Sequence, residues 1–359
     1  MGGVIMTIRE LMEQLSAEQL LAEDKQAEIE AILAKQQTET NETQASTPWY
    51  IHVLMGLTAW IGTFFMLFFI MELIGDNNTT MLLTGLLLCA AGVILRWRIS
   101  HSTFFSQLAF VISLAGQFLF VMGVGNLVND LTMIILAMIA LELLLIVFYR
   151  DSVHRFLSTL FIIAGLMLLL VDFERLEGIH GLITLLAAGM LGLWMNETRW
   201  IVRGIDHLTR PISFAFVVGL FALLSASLFA EDEIKLWWVS AIALWAILLV
   251  QEYILLRHAA MSRFAKLALL GGTSFLLLPA LQTPGILAAL SILLLGVQRG
   301  NRLLIGLATL FLATFITGFY YQLDLTLLVK SFILTSTGLL LFAIRYNLLQ
   351  QFKSEEATT

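Results

Sequence analysis

From Tyr50 onward the chain alternates between continuous apolar runs of near membrane length and short polar turns. The runs centre near residues 62, 88, 114, 140, 164, 187, 221, 246, 273, 291, 312 and 335. A hydrocarbon core of about 30 Å asks for roughly 20 helical residues, and residues 48–345 supply about 25 per run, enough for a helix and a turn. The runs are unbroken rather than alternating with a period of two, which excludes a β-barrel, because lipid requires each helix to satisfy its own backbone. The pattern predicts an all-α integral membrane protein of about 12 transmembrane helices.

Composition sharpens this picture. Of 359 residues, 59% are hydrophobic and 13% charged, with mean hydropathy +0.90, more apolar surface than a water-soluble fold can hide. The net charge of −6 belongs to the N-terminal arm: residues 1–47 hold three basic and nine acidic groups, and the remainder holds 17 of each. The lone Cys89 sits in an apolar run and excludes an intrachain disulfide or a thiolate metal site. The opening MGGVIM lacks the basic and apolar regions of a cleaved signal, so the first apolar run is expected to act as the insertion signal.

Lys and Arg predict the orientation. Arg96, Arg98, Arg150, Arg155, Arg199, Arg203, Arg210, Arg257, Arg263, Lys266, Arg299 and Arg302 all fall in turns that follow even-numbered runs. With the arm and the C-terminal end, 17 of the 20 basic residues share one face, and the opposite turns are acidic or amide-rich. By the positive-inside rule both termini are cytoplasmic. His101, His154, His207 and His258 recur in successive cytoplasmic turns at intervals of 53, 53 and 51, and F-x-S-x-L recurs at Phe104 and Phe156. These spacings are consistent with six repeated helical hairpins, and equally with hairpins of similar length that have no common origin.

Three segments follow: a helical arm and linker over 1–47, a membrane domain over 48–345 and a short tail over 346–359. Within the arm, residues 7–36 predict short acidic helices begun by a Ser16/Gln19 capping box and by Asp24, and residues 36–47 a flexible linker. Anionic headgroups repel such an arm, so it is expected to project into the cytosol as a docking surface or as a solvated hairpin.

Glu142, in ALELLLIVFYRDSVHRF, is the principal candidate for chemistry. It lies eight residues before Arg150, about 12 Å along a helix, at a depth where an acid costs about 2.5–3.5 kcal/mol unless neutral or partnered. Ser113 and Gln117 share a face of the antiparallel third run and reach the same depth, so both are expected to hydrogen-bond Glu142. The functional reading is a proton-coupling or cation site; the structural one is interhelical polar contact. Gly271 and Gly272, followed by Pro279 and Pro284, mark a possible helix break or a close packing contact. Glu252 is close enough to Arg257 to approach the interface. Phosphate-loop, dinucleotide, zincin and nucleophile-elbow motifs are absent, no His pair has metal-ligand spacing, and the outer turns are short. The expectation is a non-enzyme without cofactor, metal or nucleic-acid partner.

The passage TPWYIHVLMGLTAWIGTFFMLFFI, Thr47 to Ile70, with Pro48, Trp49 and Tyr50 leading into the first run, resembles an uncharacterised bacterial membrane family known only as a domain of unknown function. So does the acidic arm before it. The resemblance covers nearly the whole chain; it implies an inner-membrane location and membrane partners, and transfers no functional residues. The number of runs is also that of the major facilitator transporters, but RWRISHSTFF lacks their glycine, aspartate and paired-arginine pattern. Two readings result: a non-catalytic membrane component that works through partner proteins, and a secondary transporter or flippase for a small or lipophilic solute, coupled through Glu142.

Overall fold

The computed structural model describes residues 49–74, 77–99, 103–229, 234–257 and 262–322, with scattered positions between 328 and 342. The expectations for the arm at 7–36, the linker, most of the run centred at 335 and the tail at 346–359 fall outside the described residues. The helices are α1 (Trp49–Ile74), α2 (Asn78–Arg98), α3 (Thr103–Val128), α4 (Leu131–Phe148), α5 (Ser152–Asp172), α6 (Ile179–Met195), α7 (Glu197–Val202), α8 (Asp206–Phe229), α9 (Trp237–Arg257), α10 (Arg263–Leu276), α11 (Pro284–Arg299) and α12 (Arg302–Gln322). Short 3₁₀ turns, Leu176–Gly178 and Leu278–Gln282, precede α6 and α11, and no strand occurs among the described residues.

The fold is therefore all-helical, and eight helices (α2 to α6, α8, α9 and α12) are long and apolar enough to cross a membrane. It is the architecture of a multi-pass membrane protein. Side-chain caps begin several spans where the sequence turns polar: Asn77 caps α2, Asp130 caps α4 and Asp151 caps α5.

At the expected ninth run the structure departs from the sequence reading. Gly271 and Gly272 do not break the helix; both lie inside α10, which runs unbroken to Leu276. Nor do they mediate close packing, since a Cβ at either would meet no neighbouring atom within 4 Å. The interruption comes at Leu277–Thr283, around Pro279, which has no backbone N–H to continue the helical ladder.

Close packing occurs instead between α2 and α3. A Cβ at Gly85 would stand 2.5 Å from the Phe120 backbone nitrogen, and one at Gly116 would stand 2.7 Å from the Cys89 nitrogen. Without side chains between them the two backbones touch, which is how helices gain van der Waals contact where lipid supplies no hydrophobic drive. α3 then packs on α1 and α4, α4 on α5, and α5 on α8. Beyond α5 a second, larger core joins α5, α6, α8, α9, α11 and α12, with Phe221 stacked on Phe311 at 4.0 Å between ring centroids.

Gly85→Val should therefore be costly, about 3 kcal/mol by forced separation of two backbones, whereas Gly271→Ala should be neutral or slightly stabilising. Thermal unfolding in detergent, followed by tryptophan fluorescence, checks both; equal shifts for the two variants would refute the packing account.

Candidate functional site

Glu142 projects from the middle of α4 into the α3–α4–α5 interface and is 1% exposed. Its Oε2 is buried without a hydrogen-bond partner. The structure corrects the expected pairing: Ser113 and Gln117 are both buried at this level, but they bond His154 rather than Glu142. Ser113 Oγ stands 2.9 Å and Gln117 Nε2 3.2 Å from His154 Nε2.

His154, assigned from sequence to a turn, belongs to the first turn of α5 and is 1% exposed. Asp151 puts it there: as N-cap, its Oδ1 accepts from the Val153 and His154 backbone N–H groups at 2.9 and 3.2 Å. The ring stacks on Tyr149, 3.9 Å between centroids, and meets the Phe110 ring edge-on at 5.8 Å. Burial, reinforced by the Asp151 charge, pushes the Tyr149 phenol above its ordinary value, so it stacks as a neutral ring.

The proton inventory fixes a direction. The Gln117 amide nitrogen only donates, so His154 Nε2 accepts and the ring hydrogen resides on Nδ1. Nδ1 then donates to Ser158 Oγ at 3.1 Å, which leaves the Ser158 hydroxyl hydrogen to the neighbouring Glu142 carboxyl. Ser158 is a hydrogen-bonding neighbour of the Glu142 carboxyl, whose Oε2 is left without a partner. Cys89, across the interface on α2, is also close to that carboxyl and gives its S–H to the Ser113 carbonyl at 3.5 Å. The result is a line of polar groups, Gln117 and Ser113 to His154 to Ser158, that ends at an acid with one unpaired oxygen.

A charged layer covers the cluster at the arginine-rich end of the bundle. Arg96 reaches Asp151 Oδ2 at 3.1 Å and Ser106 Oγ at 2.8 Å. The Arg150 guanidinium lies 5.2 Å from the centroid of Trp97, whose indole N–H donates to the Phe148 carbonyl. Arg155, 3% exposed, donates from Nε to the Ile146 carbonyl and from its terminal nitrogen to the His207 carbonyl, each at 3.0 Å. Both acceptors are orphans: Ile146 is in the last turn of α4, and the His207 carbonyl lost its helical donor to Pro211.

Elsewhere, Glu252 does not reach the interface as a free carboxylate; its Oε2 accepts from Thr273 Oγ1 at 2.7 Å and ties α9 to α10. Among the described residues, no group of three or more His, Cys, Asp or Glu side chains could hold a metal ion.

Residues 48–351 match the family model described as Domain of unknown function (DUF4401). The chain belongs to this family. The DUF4401 match spans every helix described above and thus includes Glu142, His154 and their partners. No curated protein and no solved structure matches the chain.

His154→Ala should be the most damaging change in this cluster, since it strands Ser113, Gln117 and Ser158 and removes the ring beneath Tyr149, a loss of about 3–5 kcal/mol. Ser113→Ala should cost about 1 kcal/mol, one neutral hydrogen bond. Unfolding in detergent measures both; a His154→Ala protein as stable as Ser113→Ala would show that the hub does not organise the interface.

Proposed function

We propose that this protein is a non-enzymatic inner-membrane protein of twelve spans with both termini cytoplasmic, and that Glu142 binds and releases a proton. The observation that carries the reading is the buried, unpartnered Glu142 Oε2 at the end of an otherwise hydrogen-bonded polar line. A polar contact that serves only as interhelical glue looks different in this same bundle. Gln251 and Ser291, both buried, exchange two hydrogen bonds: Ser291 Oγ donates to Gln251 Oε1 at 2.7 Å, and Gln251 Nε2 donates to the Ser291 carbonyl at 3.1 Å. Glu142 has no such reciprocal partner. A carboxyl that gains or loses a proton must leave room for a changed hydrogen-bond pattern, and the unpartnered Oε2 beside the Ser158 hydroxyl supplies it. Proton coupling of this kind suits a secondary transporter or flippase for a small or lipophilic solute, with protons exchanged through the Arg96–Asp151 layer.

The other reading, a component that acts through partner proteins, draws support from α1. Its Phe64, Phe65, Phe68 and Phe69 are all about two-thirds exposed among the described residues, an aromatic face that would lie against lipid or a second protein. The acidic arm at residues 7–36 would supply the cytosolic contact in that case.

Infrared difference spectra of the protein in nanodiscs, between about pH 5 and about pH 9, test the proton site. A protonated-carboxyl band that titrates in the native protein and is missing from Glu142→Gln is the expected result; a carboxyl signal unchanged by pH and by the substitution would make Glu142 a static packing group.

Sidedness is tested separately in intact cells with a membrane-impermeant maleimide, in a Cys89→Ser background. Lys235→Cys should label and Val202→Cys should not; labelling at Val202→Cys from outside would invert the orientation.

A further inference from the structure

A cavity of about 310 Å³ opens at the opposite end of the bundle from the arginine-rich turns, between the ends of α8 and α9, the start of α11 and the side of α12. It lies far along α8 from Arg155 and His207, and the inference drawn from it goes beyond the proton-binding reading without resting on it. At this volume it is at the small end of ligand pockets, which run from about 300 to 1,000 Å³.

The wall presents hydroxyl oxygens whose hydrogens are engaged within their own helices or turns. Ser227, Ser240 and Thr283 all line the cavity, and each hydroxyl donates to the backbone carbonyl three residues earlier: Leu224 at 2.8 Å, Trp237 at 3.0 Å and Ala280 at 3.4 Å. A carbonyl can only accept, so the Ser227 and Thr283 hydrogens are committed, and the Ser240 hydrogen has two acceptors in reach, the Trp237 carbonyl and His180 Nδ1; the three oxygens are left as acceptors. Ser240 is further fixed from behind by His180, whose Nδ1 is 3.1 Å from its oxygen. His180 in turn approaches Glu177, and the Glu177 carboxylate accepts from the Lys235 and Leu236 backbone N–H groups at 2.9 and 3.2 Å.

The ligand must therefore donate several hydrogen bonds. An uncharged ligand suits it: among the described lining residues there is no Asp, Glu, Lys or Arg, and the nearby Glu177 charge is already engaged. A buried ion without a counter-charge costs several kcal/mol. The rest of the wall is apolar and aromatic, with Trp237 half-exposed at the rim and Phe315 buried inside, and these rings suit a C–H face. Gln282, exposed at the rim, adds an amide that both donates and accepts.

We propose that this cavity binds an uncharged polyhydroxylated molecule no larger than a monosaccharide, whose hydroxyls donate to Ser227, Ser240 and Thr283 and whose C–H face lies on Trp237. Hydroxyl donors on a C–H frame meet both demands of the wall; an ammonium finds no counter-charge among the described lining residues, and a carboxylate meets oxygen lone pairs.

Saturation-transfer-difference NMR on the full chain in phosphatidylcholine nanodiscs tests this, with glycerol, erythritol, xylitol and glucose as probes and butylammonium and butyrate as charged controls. Saturable binding of at least one polyol, with neither charged control binding, is expected. Ser227→Ala/Thr283→Val should weaken that binding by about tenfold, the equivalent of about 1.4 kcal/mol, and Thr283→Ser alone should retain it because the acceptor oxygen remains. The inference is overturned if no polyol binds, if a charged control binds as well as the best polyol, or if the double variant binds like the native protein while unfolding at the same temperature.

Discussion

Lipid offers no hydrogen bonds, so each polar side chain and each broken stretch of backbone inside a bundle has to be answered by another part of the same chain. In the arginine-rich half the answers converge on the first turn of α5. Asp151 fixes where that helix begins, and this sets His154 facing inward and Arg155 one position further round. Arg155 fills two carbonyls that a helix end and a proline left open, and His154 gathers hydrogen bonds from α3 and from its own helix. Glu142 is the exception, and the exception is informative because its Oε2 stays without a partner although Ser158 stands beside the carboxyl. The close backbone contact of α2 with α3 flanks this arrangement, with Cys89 and Ser113 held at that seam.

The sequence makes the helices legible, because long apolar runs are strong, local signals, and it singles out Glu142 as an acid within one of them. The partners of Glu142 were not legible. Equal depth on an antiparallel neighbour pointed to Ser113 and Gln117, and both are in the right place, but a third residue intervenes. His154 was hidden by its context: a histidine between Asp151 and Arg155 reads as part of a polar turn, whereas the N-cap brings the start of α5 back by a full turn and buries it. The signal that could have found it is Asp151 itself, a capping residue directly before an apolar run. Gly271 and Gly272 misled in the opposite direction. A glycine pair is a weak indicator of a break where nothing packs on it, and Pro279, which removes a donor outright, decided the matter.

The bundle also has two unequal halves, and only one could be anticipated. α5, α6, α8, α9, α11 and α12 share a continuous core built from Leu, Ile and Phe at membrane-helix spacing. α2 and α3 depend instead on glycine contacts and on a small cluster of Cys89, Leu141 and Leu145. Apolar sequence alone does not distinguish these modes, since leucine facing lipid and leucine facing a helix are chemically alike. The separation is mechanically useful: an interface held by close backbone contact and a few hydrogen bonds can rearrange without opening the larger core.

α8 is where the two halves meet. Its first turn receives Arg155 at the His207 carbonyl, its middle packs on α5 through Gly219 against Ile163, and its last turns supply Leu224 and Ser227 to the cavity wall at the far end. Pro211 sits between the Arg155 contact and the rest of the helix, at a point where one internal hydrogen bond is already missing. A rearrangement around Glu142 that moved α5 would therefore be felt first at a built-in weak point of α8. From there a single helix extends to the oxygen-lined cavity. Linkage between the ends requires an element with two arrangements that both sites bias, and a helix hinged at a proline, its orphaned carbonyl held by one arginine, is the part of this fold best suited to provide it.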